Sequence, residues 1–408
     1  MTPVGWLQPV APGAEQVGPP TVEQLEQLAL DNSPAVARAA AQLRALHGKW
    51  LQVGLPPNPT VGYLADDIGE DGTAGKQGGY VGQQLVTAGK LALDRELVCH
   101  EIAQAEQHLA AARQRVRTDV RTGYYDVLIA QEKVDLSREL LQLSERAVQA
   151  SRRLLEAKEI PRVGLLQTEI ETHNARILVR QAEHELEGAR QRLATLLGQP
   201  ELTAPRLAGD LEAAGQVLNW SQQLERLESQ SPILAAAIAA RERARRAVDR
   251  AVAQARPDVE LQLALQHDDA GDDTVAAVQL GLPLPLWNRN QGGIAQAQAE
   301  LGAEAHQVQR ARRELAHRLA STFQDYADAR YEVEEYAKDI LPRARETLDL
   351  VTAGYQQGEV GYLEMLTAER TFFQTTLAYL DALRKLWSTH LLIDGLLLDQ
   401  SLQPQPAT

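Results

Sequence analysis

The sequence is poor in aromatic residues, in cysteine and in long apolar runs. Aromatics are 4% of its 408 residues, with three phenylalanines. A compact core of this size uses more large side chains, so the composition predicts an elongated protein built on Ala and Leu seams. The single cysteine, Cys99, excludes an intrachain disulfide and a cysteine-based metal site. A small buried or seam-lining position is expected of it. No stretch approaches the roughly 20 apolar residues of a spanning helix, so a chain like this could cross a bilayer only as a β-barrel. The opening segment, MTPVGWLQPVAPGAEQVGPP, has no apolar run, and no Lys or Arg precedes Arg38. No secretory signal peptide is therefore visible. A net charge of −14 disfavours nucleic acid, whose phosphates call for a basic surface.

What is present is an internal repeat. SPAVARAAA at Ser33 resembles SPILAAAIAA at Ser231, and in each half a second proline follows the first by 25 residues and opens a strand: Pro34 to Pro59, and Pro232 to Pro257. Further on, EIPRVGLLQTE at Glu159 matches EVGYLEMLTAE at Glu359 at an offset of 200. That offset also pairs Leu166 with Leu366, Glu169 with Glu369 and Ala182 with Ala382. The sequence thus divides into a Pro/Gly-rich segment 1–21, repeats 22–205 and 206–400, and a tail 401–408. The two repeats form one intertwined domain. Each repeat reads as helix, strand, acidic loop, strand, very long helix, tight turn, helix. Residues 91–158 hold no proline and only Gly123; residues 294–357 hold one interior proline, Pro342, expected to kink or loosen the helix. The return helices are expected over 164–198 and 364–400. Val134, Leu141, Val148 and Leu155 recur every seven residues, a coiled-coil spacing.

Strands are expected near 59–66, 78–87, 257–267 and 274–286. Val259, Leu261, Leu263 and Leu265 alternate with Glu260, Gln262, Ala264 and Gln266. In the fourth strand, Val278, Leu280, Leu282, Leu284 and Leu286 oppose Ala277, Gln279, Gly281, Pro283 and Pro285. One apolar face and one small or polar face suits a transmembrane barrel with lipid outside and water inside. A small antiparallel sheet packed on helices has the same period of two. Four strands cannot close a barrel alone, so a barrel implies an oligomer. Trp50 and Trp287 stand where strand meets helix; a membrane–water belt and core packing are both open for them. The loops DDIGEDG (66–72) and HDDAGDD (267–273) lack calcium-loop spacing and read as solvated turns. No catalytic constellation, phosphate loop, metal site or cofactor motif appears, so no enzyme is expected.

Taken in order and in duplicate, these segments resemble the TolC family of outer-membrane efflux ducts over about residues 22–400. LPLPLWNRNQGGIAQAQAE and QQLVTAGK (83–90) resemble its strand-to-helix junctions, GEVGYLEMLTAERTFF (358–373) its closed-end turn, and LPRARETL (341–348) a recurrent segment. The NRNQG wording is most like the cobalt–zinc–cadmium branch. The resemblance implies a mainly α fold with a β-barrel portion. Three chains with four strands each would build a twelve-stranded barrel that continues as an α-helical tunnel through the periplasm. It implies a homotrimer in outer-membrane lipid, working with a periplasmic adaptor and an inner-membrane pump of the RND type as a passive exit duct. The cargo would be metal cations or small toxic compounds. Adaptor contacts would fall at the tips: Glu159, Ile160, Pro161, Arg162 and Val163 in the first, and Gly358, Glu359, Val360, Gly361, Tyr362 and Leu363 in the second. Glu364 would line the aperture, where a ring of three would favour cations; a solvated glutamate at a helix start is the other reading. Lys158 and Pro161 depart from the second tip's Gly358 and Gly361. A soluble coiled-coil scaffold with a small sheet is the alternative function.

Overall fold

The computed structural model describes residues 20–72, 74–199, 206–211, 217–357 and 359–403. Most of segment 1–21, part of the join between the repeats, Gly358 of the second tip and the end of the tail lie outside the described residues. In chain order, α1 (Val22–Asn32) and α2 (Pro34–Val53) precede the hairpin of β1 (Thr60–Asp66) and β2 (Lys76–Leu85). The long helix α3 (Lys90–Glu156) and the return helix α4 (Arg162–Leu196) follow. The second half runs α5 (Trp220–Gln230), α6 (Pro232–Gln254), β3 (Val259–Asp268), β4 (Asp273–Gly281), α7 (Gln291–Glu335), α8 (Leu341–Gln356) and α9 (Tyr362–Asp394).

The chain clusters into two units. A strand-bearing unit takes residues 34–112 and 221–318; a tip-bearing unit takes the segments up to Ser33, 113–220 and from Leu319 on. In the strand-bearing unit, Leu234 of α6 packs on Val308, Ala311 and Leu315 of α7. Ion pairs tie its other helices: Lys49 to Glu101 at 2.6 Å, and Arg250 to Asp94 at 2.6 Å. In the tip-bearing unit, Ile129 packs with Leu380 and Leu383, and Ala147 with Tyr355 and Met365. A second heptad seam here escaped the sequence reading because it is polar: Ser137, Ser144 and Ser151 on α3 are all buried. Their small side chains allow a close approach, and the Thr172 hydroxyl of α4 reaches the Ser144 carbonyl at 3.2 Å. Cys99, expected in a buried or seam position, is exposed on α3.

Helix ends follow local chemistry. Thr21 caps α1 in a box with Gln24. The tight turn after α3 has the Schellman pattern: Glu159 N–H donates to the Leu154 carbonyl and Lys158 N–H to that of Leu155. Lys158 takes the left-handed position (φ 62°) that usually falls to glycine, and so stops α3 at Glu156. In the second half, the helix expected over 294–357 is two helices joined by one π turn, Tyr336–Ile340, in which Leu341 N–H reaches the Tyr336 carbonyl. The extra residue in this turn lets the chain pass Pro342, which sits in the first turn of α8 where its missing N–H is harmless. α9 ends at Asp394 instead of 400: Gly395 caps it, and Leu396 and Leu397 turn left-handed.

Candidate functional site

Two regions carry the residues singled out by sequence. The first is the sheet. Its four antiparallel strands lie in the order β1-β2-β3-β4, so β1 and β4 are edges, each with one neighbour. The register aligns Val61, Val81, Leu263 and Val278 in one row across all four strands. Each member of that row is between 49% and 76% exposed. Tyr63 and Leu265 extend the same bare face toward the hairpin ends, and Leu280 extends it toward the helices. The opposite face has the row Gly62, Tyr80, Ala264 and Ala277, and next to it Thr60, Gly82, Gln262 and Gln279. Apolar side chains on one face and mostly small or polar ones on the other are what the alternation predicts. That the apolar face is uncovered removes the option of a sheet packed on its own helices.

The fourth strand is shorter than expected. Its ladder stops at Gly281, not at 286. In this register Val259, the first residue of β3, faces position 282, so the partner strand runs out there, and Pro283 and Pro285 have no N–H with which to extend the ladder. Leu282, Leu284 and Leu286 stay exposed beyond the ladder's end. Trp287 is 85% exposed, which excludes core packing within the chain. Trp50 is half-buried, with the Arg95 guanidinium 5.0 Å from its ring centre. Both acidic loops spend carboxylates on local contacts, within a turn or from one hairpin end to the other. Asp67 pairs with Lys76 at 2.8 Å, Asp269 accepts from Ala74 N–H at 3.0 Å, and Asp268 from Ala270 N–H at 3.1 Å. Among the described residues no group of three or more His, Cys, Asp or Glu is arranged to hold a metal ion.

Where sheet becomes helix, sequence reasoning missed an ion pair with a buried lysine. Lys90, 3% exposed, donates to Asp258 at 2.8 Å. Asp258 also accepts from Thr87 N–H at 2.9 Å, while the Thr87 hydroxyl donates to the Pro257 carbonyl at 2.6 Å. Burial acts to raise the Asp258 carboxyl's pKa, but its bonds to Lys90 and the Thr87 N–H outweigh that and hold it below the usual range. The pair joins the end of the first half's hairpin to the start of the second's. The signal for it was QQLVTAGK, read as a junction without a partner.

The second region is the tip end. Glu159, Ile160 and Pro161 link α3 to α4, and Arg162 and Val163 open α4; Glu359, Val360 and Gly361 link α8 to α9, and Tyr362 and Leu363 open α9. Pro161 and Gly361 cap their helices with the same backbone, φ −78° and ψ 157° against φ −77° and ψ 158°. The exchange of glycine for proline therefore leaves the turn's path unchanged. Leu363 and Glu364 are exposed, and with Thr367 and Thr371 they line an open groove of about 630 Å³ along α8 and α9. Tyr362 instead folds back on Tyr355, ring centres 6.2 Å apart, and burial raises its hydroxyl's pKa.

Glu369 was not singled out by sequence. It is 5% exposed, and its Oε1 has no hydrogen-bond partner among the described residues. Burial, and then the nearby Glu171 carboxylate, push its pKa up to about 7. The local cation is spent elsewhere, since Arg370 pairs with Glu171. Its repeat counterpart Glu169 is half-buried and paired with Arg152 at 3.1 Å. The duplication hid this difference, because the two glutamates look equivalent in sequence.

A family profile described as "Outer membrane efflux protein" matches the chain in two stretches, residues 25–199 and 223–391. The chain is 27% identical over 391 residues to the cobalt-zinc-cadmium resistance protein CzcC of Cupriavidus metallidurans, covering 96% of this chain and 93% of that one. Among solved structures it is similar in fold to CusC, with a TM-score of 0.76 at 16% identity over 97% of this chain and 99% of that one. It is likewise similar to the outer membrane protein VceC of Vibrio cholerae, with a TM-score of 0.74 at 19% identity over 93% of this chain and 96% of that one.

Proposed function

The chain belongs to the outer membrane efflux protein family, and on that premise we propose that it is the outer-membrane duct of a tripartite efflux system. Three copies close one barrel of twelve strands, and their long helices continue it as a periplasmic tunnel. The observation that carries this reading is the sheet: a bare apolar face, a small or polar opposite face, and unpaired edges at β1 and β4. In hydrocarbon an unpaired strand edge is too costly to persist, so each edge calls for the complementary edge of another copy. No described helix is long and apolar enough to cross a membrane, which leaves the spanning role to the strands.

Cargo arrives from an inner-membrane pump of the RND type through a periplasmic adaptor that contacts the two tips. The name of the Cupriavidus metallidurans relative supports metal cations as the cargo class. Glu364, exposed at the start of α9, lines the narrow end of the tunnel in this reading. Mass measurement in detergent, followed by reconstitution, tests the assembly. Three copies that insert into lipid vesicles are expected. A monomer or dimer stable in water without detergent would instead favour a soluble coiled-coil scaffold.

A further inference from the structure

Behind the second tip, the tip-bearing unit brings two carboxylates together with one guanidinium. Glu369 lies two turns into α9. It is 5% exposed, and its enclosed Oε1 has no hydrogen-bond partner among the described residues. Each packed helix contributes to its surroundings. α4 brings Glu171, whose carboxylate is already held by Arg370 of α9. α9 also brings Tyr362, and α8 brings Tyr355, whose hydroxyl lies 3.4 Å from that of Ser151 on α3. α3 buries Ser144, Ala147 and Ser151 here, none of which titrates. The charged groups next along these helices are paired with one another: Arg152 with Glu169 at 3.1 Å, Arg176 with Glu145 at 3.2 Å, and Asp349 with Arg345 at 3.6 Å.

A carboxyl in this setting is stable with its proton and costly without it. The anion would be desolvated, unbonded and close to a second anion. That cost is relieved if α9 moves off α4 far enough to admit water. Leu363 and Glu364 would move with it, because Glu369 follows Glu364 by little more than one turn of the same helix.

We propose that Glu369 is an acid-operated latch behind the second tip: holding its proton it lets α9 seat on α3 and α4, and losing the proton unseats the start of α9. The latch acts within one copy, and one proton passes between the carboxyl and water. That unseating widens the narrow end rests on the reading of the chain as a duct with Glu364 at its aperture. Burial and Glu171 raise the Glu369 pKa to about 7 in the seated form, against 4.5 for a solvated carboxyl. The seated form is therefore favoured in full below about 4.5, and the preference fades as pH rises through 7. Between pH 5 and pH 8 this weakens the seated form by up to about 70-fold.

Hydrogen exchange of the purified protein in detergent, corrected for the intrinsic effect of pH, tests the latch. In the parent, protection of the first three turns of α9 is expected to fall by up to about 70-fold from pH 5 to pH 8. Glu369→Gln, which has no proton to lose, is expected to keep the same protection at both. Glu171→Gln leaves Glu369 as the only carboxyl and Arg370 free to pair with it, so its loss should be smaller than the parent's. Parent protection that is equal at both pH values overturns the latch. So does an equal loss in the parent and in Glu369→Gln. In planar bilayers the parent's conductance should rise from pH 5 to pH 8 and that of Glu369→Gln should not. A current that ignores pH overturns the latch's hold on the narrow end. Protection that responds to pH in a protein that passes no current keeps the latch and overturns the duct.

Discussion

At the scale of single residues, burial separates groups that the sequence makes look alike. Glu169 and Glu369 occupy matching repeat positions, yet one has an arginine and the other is enclosed without one. Burial depends on which helices pack around a position, and a repeat offset carries no information about that. Lys158 and Pro161 show the reverse: they differ from their counterparts in the second tip, but Pro161 keeps the backbone of Gly361. The enclosed acid has a consequence for stability. Its pKa lies near 7 in the folded chain against an ordinary 4.5. Between those values the folded chain holds a proton that the unfolded chain has released. Stability therefore falls as pH rises from about 4.5 to about 7 and levels off above that. Glu369→Gln removes this loss, so its advantage over the parent should grow across that range by on the order of 3 kcal/mol. Thermal melts of both proteins at pH 5 and pH 8 check the sign. A difference in melting temperature that is the same at both pH values would contradict it.

At the scale of elements, periodicity was informative wherever hydrogen bonding could follow it. The long α3 appears as a run without proline, and the four strands as alternating faces. β4 shows the limit. Its leucines keep alternating past Gly281, but β3 has no residue left to pair beyond Val259 and Pro283 and Pro285 offer no N–H, so side-chain pattern and backbone pairing part there. The π turn before Pro342 was legible only as an expected disturbance, because a proline signals that a helix must adjust without saying how. The two faces of the sheet make a sharper prediction. Val278 lies on the bare face and its neighbour Ala277 on the other. Val278→Arg should weaken folding into lipid vesicles by about 2–4 kcal/mol, the cost of a lipid-facing arginine near mid-bilayer. Ala277→Arg, on the lumen side of the proposed barrel, should largely spare insertion. Gel mobility before and after heating reports the inserted fraction; equal loss for both substitutions would mean that the faces are wrongly assigned.

At the scale of the whole molecule, the duplication and the family's plan were readable from one sequence, because helix lengths, strand pairs and tips recur in order. The Lys90–Asp258 pair was not, because it depends on residues far apart in sequence meeting across packed elements. Assembly also gives Glu364 its proposed meaning, since one exposed carboxylate is a surface group while three around an axis form a selective ring. Glu364→Ala should therefore raise conductance or lower preference for cations over anions, seen as a shift of reversal potential in a salt gradient. Unchanged behaviour would remove Glu364 from that role. The most direct test of the account is single-channel recording of the purified protein in a planar bilayer. It predicts uniform, long-lived conductance steps that require the trimer. A trimer that inserts into the bilayer and passes no current would contradict a duct.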